Sequence, residues 1–219
     1  MVDQLAFEWP TGVALGPADF FVSEANAQAA GMVADPESWP DGKLVLVGPQ
    51  GCGKTHLARI FAGHQDAVLV QASALKEDFQ TDAFDVVIED MENLSPDAEE
   101  AVFHLHNYLR GNDGHLLMTA RTPPSRWPIA LPDLRSRMEA TTVVRITDPD
   151  DALLSALVMK LFADRQITPK QDLVEYLIKR IDRSFAAASR IVTKLDEVAM
   201  AEGRKINRAL AGDLLDKTS

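Results

Sequence analysis

The sequence predicts an α/β fold, with a P-loop parallel sheet domain followed by a small all-helical lid domain. Three observations predict it. Short, continuously apolar segments alternate with helical patterns over the first two thirds of the chain, as in parallel sheets covered on both faces. A glycine-rich loop joins the first apolar segment to a helix. Beyond Ile146, the apolar residues recur only at helical spacing.

Five short segments are predicted to be the strands. The first is bounded by Gly42 and Gly48 and is apolar after its initial lysine. Because the segments lack the alternation of a half-exposed strand, we expect helices on both faces of the sheet. The five segments are Lys43–Val47, Ala67–Gln71, Asp85–Glu89, His115–Thr119 and Thr141–Ile146.

Helical patterns separate these strands. They lie at Glu24–Val33, from Lys54 to about Gly63, and from Pro96 to about Arg110. Pro96 suits the first turn of its helix, and Ser95 is predicted to be the N-cap.

The region after Ile146 is predicted to contain only helices. Asp148 or Asp150 can cap the first of them, whose apolar residues begin at Leu153. Further helical patterns follow around Leu173–Ile181, Phe185–Val198 and Ile206–Leu215. The chain is therefore divided into an N-terminal peptide (1–12), an α/β domain (13–147) and a helical lid domain (148–219).

Charge and composition exclude several classes of protein. The net charge is −11, and residues 1–144 carry 9 basic and 21 acidic side chains. Such a surface does not neutralise phosphates widely, so direct, specific nucleic-acid binding is not expected. One cysteine excludes an intramolecular disulfide. No basic residue precedes Lys43, and no apolar run approaches the roughly 18 residues of a membrane span. We expect a cytoplasmic protein with no membrane partner.

Residues 48–55 read Gly-Pro-Gln-Gly-Cys-Gly-Lys-Thr, a complete phosphate-binding G-x-x-x-x-G-K-T motif. The motif follows an apolar strand and opens a helix, which is the context that it requires. Lys54 would reach the β- and γ-phosphates, and the Thr55 hydroxyl would ligate Mg²⁺. The nucleotide-contacting residues predicted here are Gly48, Gln50, Gly51, Cys52, Gly53, Lys54, Thr55 and His56.

Two carboxylates end the third predicted strand. Glu89, with Thr55, would hold Mg²⁺ through water, and the neighbouring Asp90 would orient the attacking water. The first of these positions more often holds Asp, and the longer Glu shifts the metal contact. A solvated acidic loop is the alternative interpretation.

Two further features suggest contacts with other molecules. Arg137, just before the fifth strand, would act as an arginine finger on another subunit's γ-phosphate; the alternative is a surface salt bridge. Gln4, Leu5 and Phe7 would form a short docking peptide for a hydrophobic pocket. An N-terminal strand that packs on its own domain is the alternative for this segment.

The order of these motifs resembles an AAA+ ATPase of the DnaA-related branch. Residues 51–57 look like that branch's phosphate loop, residues 119–124 fall at its sensor 1 segment, and residues 131–137 look like its box VII. Box VII carries the arginine finger, at Arg137. Residues 20–26 resemble the segment that lines the adenine pocket, which implies that Phe20 and Asn26 contact the nucleotide.

Within that branch, the chain is most similar to the Hda (HdaA) family of DnaA-homologous regulators. It ends after the lid, lacks the early oligomerisation domain, and begins with a peptide that looks like a sliding-clamp-binding motif. The resemblance implies ADP or ATP with Mg²⁺ as cofactors, and DnaA and the DNA polymerase sliding clamp as partners. The implied function is regulatory inactivation of DnaA, by promoting hydrolysis of its bound ATP. A nucleotide-dependent homodimer is compatible with this resemblance.

The chain departs from the family pattern at two places. Ala186 stands at the sensor 2 arginine position, with Arg183 and Arg190 on roughly the same helix face as possible substitutes. Arg121 stands where sensor 1 has a smaller polar residue. The chain's own ATPase is therefore expected to be weak or absent. The alternatives are a stand-alone ATPase of helicase-loader type and a P-loop kinase that uses Arg183 and Arg190.

Overall fold

Five parallel strands form one sheet in the computed structural model, which describes residues 20–216. Their order across the sheet is β2-β3-β4-β1-β5, and each neighbouring pair is parallel. All five predicted strands are present, and the predicted α/β fold is confirmed. The strands are β1 (Lys43–Val47), β2 (Val68–Gln71), β3 (Asp85–Glu89), β4 (His115–Ala120) and β5 (Thr142–Arg145).

Helices cover both faces of the sheet because strand residues point alternately to either side. Leu44 and Leu46 of β1 belong to the core under one pair of helices, whereas Val45 and Val47 belong to the core under the other pair. Trp39 and Phe61 stack at 5.0 Å in the first core. The first pair is α1 (Ala27–Ala34) and α2 (Lys54–Gln65), and the second is α3 (Glu99–Gly111) and α4 (Pro132–Ala140).

Two local features differ from the sequence predictions. Pro96–Ala98 is a single 3₁₀ turn, and the Ser95 side chain makes no capping hydrogen bond, so the predicted N-cap is wrong. The helix α4 was not predicted, because only Leu134 and Met138 of its nine residues are buried. One such pair, four residues apart, is too weak a periodic signal to indicate a helix.

The lid contains α5 (Asp151–Ala163), α6 (Gln171–Ile178), α7 (Phe185–Glu202) and α8 (Arg208–Asp216). Asp150 caps α5 by accepting a hydrogen bond from the Leu153 N–H at 2.7 Å, so it is the capping residue of the two suggested. The four helices share a core of their own. Leu153 and Phe185 of the lid also pack in the first core of the sheet, and the division near residue 147 stays a prediction from the sequence. No helix within residues 20–216 is long and apolar enough to cross a membrane.

Candidate functional site

A cleft of about 680 Å³ opens at the carboxyl ends of β1, β3 and β4. Ligands of open α/β sheets bind at this edge. Six of the predicted nucleotide-contacting residues line the cleft: Gln50, Gly51, Gly53, Lys54, Thr55 and His56. Its remaining wall comes from Arg59 and Ile60 of α2, from Asp90 and Arg121 after their strands, and from Lys160 of the lid.

The Lys54 side chain is buried and bends back over the phosphate loop. Its ammonium donates hydrogen bonds to the carbonyl oxygens of Gly48 at 2.8 Å and Pro49 at 2.9 Å. A buried ammonium needs such acceptors, and a phosphate group would supply stronger, charge-assisted ones. The loop therefore holds the Lys54 ammonium in place, and Lys54 lines the cleft.

Two glycines of the loop have no room for a side chain. Gly53 has φ +99°, and a Cβ there would lie 2.8 Å from the ring of Phe20. A Cβ at Gly48 would lie 2.7 Å from the Cys52 Sγ. Cys52 itself is buried under the loop, and this burial raises the pKa of its thiol. Cys52 therefore supports the loop from below and is not a reactive thiol.

The segment before α1 packs against the loop. The Phe20 ring meets the His56 ring edge-on, with 5.3 Å between centroids. Asn26 is buried, donates to the carbonyl of Phe21 at 2.9 Å and accepts from the Ser23 N–H at 2.8 Å. The Asn26 side chain is thus occupied by its own segment, and neither it nor Phe20 lines the cleft. Both residues shape the site from behind.

The acidic pair lies at the end of β3. Glu89 is buried, and its Oε2 accepts a hydrogen bond from the Gln71 side chain at 2.8 Å. Its Oε1 is also buried and has no partner among the described residues. A buried carboxylate oxygen without a partner fits a position that a water molecule or a hydrated cation completes. The donor set therefore fits Mg²⁺, with Asp90 in the cleft wall and Thr55 on the first turn of α2.

Two residues behind this pair were not predicted as site residues, although Thr119 belongs to the sensor 1 segment noted in the sequence. Gln71 ends β2 and lies beside Glu89 in the strand register. The buried Thr119 of β4 accepts a hydrogen bond from the Asp90 N–H at 3.2 Å. The sequence held a signal for Gln71 and Thr119, because the last residues of neighbouring parallel strands meet at one edge of the sheet. Within residues 20–216, no three His, Cys, Asp or Glu side chains cluster into a metal site of their own.

The arginines of the lid do not reach the cleft. Arg183 pairs with Asp151 at 3.0 Å on the surface, and Ala186 and Arg190 are both exposed outside the cleft wall. The lid residue that does line the cleft is Lys160 of α5. The kinase interpretation thereby loses the two cations on which it depended.

Arg121 lies at the mouth of the cleft. Its backbone N–H donates to both Glu92 oxygens, at 3.1 and 3.2 Å, and its Nε lies 3.6 Å from one of them. The side chain is half exposed, so this ion pair contributes little to stability. Arg121 lines the cleft together with residues of the phosphate loop.

Arg137 does not line the cleft of its own chain. It projects from α4 onto α3, where its Nη1 lies 3.0 Å from the His106 Nδ1 and donates to the Asn107 Oδ1. Its guanidinium carbon lies 4.5 Å from the Phe103 ring centroid. No carboxylate of residues 20–216 lies within salt-bridge distance, which removes the salt-bridge alternative for that part of the chain.

His106 stays neutral at physiological pH. Burial, and then the positive charges of Lys43, Arg137 and Arg110, lower its pKa from 6.5 to about 4. A neutral imidazole can accept a hydrogen bond at Nδ1, which the Arg137 N–H supplies.

The stability of the fold should therefore fall in mild acid. Because the folded pKa of His106 is below its unfolded value, the unfolded chain binds the proton more tightly between pH 6.5 and about 4. This one group should cost about 2 kcal/mol of unfolding free energy between pH 7 and pH 5. Urea unfolding at both values measures the loss, and His106→Gln should reduce it. The exposed His104→Gln is the control; an equal reduction there would contradict the assignment.

The predicted docking residues Gln4, Leu5 and Phe7 lie outside the described residues. The docking peptide therefore stays a prediction from the sequence.

Two curated relatives illustrate what the chain is similar to. It is 25% identical over 195 residues to the chromosomal replication initiator protein DnaA of Campylobacter jejuni, covering 78% of this chain. It is also 25% identical over 221 residues to DnaA of Cutibacterium acnes, covering 88%. In both comparisons the match spans 44% of the relative, so this chain spans less than half of their length. No protein-family model matches the chain.

Solved structures share the fold. Domain III of the Thermotoga maritima replication initiation protein DnaA superposes with a TM-score of 0.72 and 17% identity, covering 91% of this chain and 94% of that domain. This chain shares the fold of that DnaA domain. AMPPCP-bound DnaA from Aquifex aeolicus matches this chain with a TM-score of 0.66 and 15% identity, over 81% of this chain and 63% of that one. The T. maritima RuvB Holliday junction branch migration motor matches with a TM-score of 0.62 and 17% identity, covering 90% of this chain and 70% of that one.

Proposed function

We propose that this chain is a regulatory AAA+ protein that inactivates the replication initiator DnaA, in the manner of the Hda family. It binds ADP or ATP, docks on the sliding clamp, and promotes hydrolysis of the ATP bound to DnaA. One observation carries the proposal. Arg137 occupies the arginine-finger position of the motif order but does not line its own cleft. It can therefore serve a nucleotide only on another molecule.

Nucleotide binding by this chain rests on the phosphate loop and the acidic pair. Lys54 would exchange the Gly48 and Pro49 carbonyls for phosphate oxygens. Thr55 and Glu89 would hold Mg²⁺, with Asp90 beside them. When bound there, Mg²⁺ would neutralise charge on the β- and γ-phosphates. Gln71 holds the Glu89 carboxylate in one orientation and leaves Oε1 for this role.

A second function is supported by the same acidic pair. Glu89 and Asp90 together suit hydrolysis by the chain itself, as in a stand-alone ATPase of helicase-loader type. Against it, no arginine of α7 lines the cleft. Steady-state hydrolysis by the protein alone, with and without single-stranded DNA, separates the two functions, because only the helicase-loader type should turn over without DnaA.

Clamp docking rests on Gln4, Leu5 and Phe7 and on charge. Residues 1–144 carry a net charge of −12, so contact with DNA would be delegated to the clamp and to DnaA.

The test follows ATP bound to purified DnaA in the presence of this protein and of clamp, either loaded on DNA or free. Hydrolysis should accelerate only with the loaded clamp, and a Gln4→Ala/Phe7→Ala variant should abolish the acceleration. A matched control is Gln80→Ala/Phe84→Ala, which removes the same residue types from an exposed segment outside the cleft. No acceleration by a protein that still binds nucleotide would refute the regulatory proposal.

Lys160 should be the lid residue that contributes to nucleotide affinity. We expect Lys160→Ala to raise the ATP dissociation constant about fivefold, because an exposed charge pair contributes about 1 kcal/mol. Calorimetric titration measures the effect. Arg183→Ala and Arg190→Ala, outside the cleft, should leave affinity unchanged. A larger loss of affinity in either of these variants would assign the lid contact to that arginine instead of Lys160.

A further inference from the structure

Three side chains of α3 surround the guanidinium of Arg137. Phe103, His106 and Asn107 are three and four residues apart and so share one face of the helix. The Phe103 ring lies under the guanidinium carbon at 4.5 Å, while His106 Nδ1 and Asn107 Oδ1 both contact Nη1. We call these three residues the α3 cradle.

The cradle occupies only one nitrogen of the guanidinium. Within residues 20–216, no hydrogen bond joins the Nε or Nη2 of Arg137 to an acceptor. The N–H groups on this second edge form a fork that matches two phosphate oxygens. An arginine held by one nitrogen and by its face can still bind an anion through this edge.

The backbone that carries Arg137 is also fixed against α3. Glu99, at the start of α3, is buried and accepts hydrogen bonds from the N–H groups of Ala130 and Leu131, just before α4. Leu134 and Met138 then anchor α4 in the core under the sheet. The α3 cradle therefore holds a side chain whose base is already rigid.

His106 is suited to this role because it is buried and neutral, so Nδ1 accepts where a charged imidazole would repel Arg137. Asn107 is exposed, so its bond to Arg137 adds little to the stability of the fold.

We propose that Phe103, His106 and Asn107 are positioning residues that hold Arg137 with its Nε–Nη2 edge open for the γ-phosphate of ATP on a partner molecule. The proposal rests on the function proposed above. Its physical effect is preorganisation: the rotamer entropy of Arg137 is lost on folding, before the partner's nucleotide is met.

The test uses the whole 219-residue chain with Asn107→Ala, Asn107→Asp and, as a matched control, Asn112→Ala. Asn112 is an exposed asparagine at the end of the same helix, bonded to the Tyr108 carbonyl. The first readout is hydrolysis of DnaA-bound ATP against protein concentration, with loaded clamp. Asn107→Ala should lower the maximal rate about tenfold at an unchanged half-saturating concentration, as expected for one charge-assisted hydrogen bond. Asn107→Asp keeps the acceptor oxygen and should restore the rate.

A second readout does not depend on DnaA. Side-chain nitrogen relaxation of Arg137 by NMR should show an ordered Nε–H in the wild type and in Asn112→Ala, and a mobile one in Asn107→Ala. If the wild type fails to stimulate DnaA while Asn107→Ala frees Arg137, the cradle stands and the proposed function fails. If Arg137 remains ordered in Asn107→Ala, or an active wild type loses no maximal rate on this substitution, the cradle proposal is overturned.

Discussion

Arg137→Ala should lower the hydrolysis of DnaA-bound ATP about a thousandfold, which is the lower end of the effect of an arginine finger. Its own nucleotide binding should be unchanged, because Arg137 does not line the cleft. Clamp binding should also be unchanged. Arg137→Lys should not restore the rate, because an ammonium cannot offer the bidentate fork. Single-turnover hydrolysis with loaded clamp measures the effect.

The matched control is Arg135→Ala. Arg135 lies two residues earlier on α4, is exposed, and donates its Nε–H to the Ile129 carbonyl at 2.9 Å. If the two alanine variants lose stimulation equally, the effect belongs to α4 as a whole and the finger assignment is wrong. If Arg137→Ala keeps full stimulation, another residue supplies the charge.

Lys54→Ala should weaken ATP and ADP binding at least about 100-fold, since two charge-assisted hydrogen bonds to phosphate contribute about 1.5–3 kcal/mol each. Without nucleotide, the ammonium bonds the Gly48 and Pro49 carbonyls. The variant should therefore fold but hold its loop less rigidly. Titration calorimetry measures the affinity, and circular dichroism checks the fold.

Lys76→Ala is the control, because Lys76 is an exposed lysine outside the cleft. Its affinity should equal that of the wild type. An affinity of Lys54→Ala within threefold of the wild type would show that the phosphate loop does not bind phosphate in this chain.

Much of the fold could be predicted because its signals are local. A buried parallel strand such as Lys43–Val47 needs a continuous apolar run, and that run is visible in the sequence. The prediction that Ser95 caps the helix is wrong for an equally local reason, because Pro96–Ala98 forms a 3₁₀ turn before α3 begins at Glu99. Glu99 is instead bound to the loop before α4, across more than thirty residues.

In the candidate site too, some features follow from local sequence and others depend on tertiary packing. The phosphate loop is contiguous, and the Lys54 ammonium bonds carbonyls only five and six residues away along the chain. The sequence therefore determined the loop, its strand and helix, and the carboxylates that end β3. The contact of Gln71 with Glu89, and the choice of Lys160 over Arg183 at the cleft, required packing between distant elements.

Arg137 shows why the contacts of a side chain could not be predicted from the sequence. Its position before the fifth strand suggested a role, but its surroundings depend on how α4, which the sequence did not reveal, packs on α3. His106 and Asn107 lie about thirty residues away along the chain. Periodicity and local spacing determine which elements form, because they depend on backbone geometry and apolar burial. Which side chains meet is decided only when those elements pack, since close packing selects one arrangement among many.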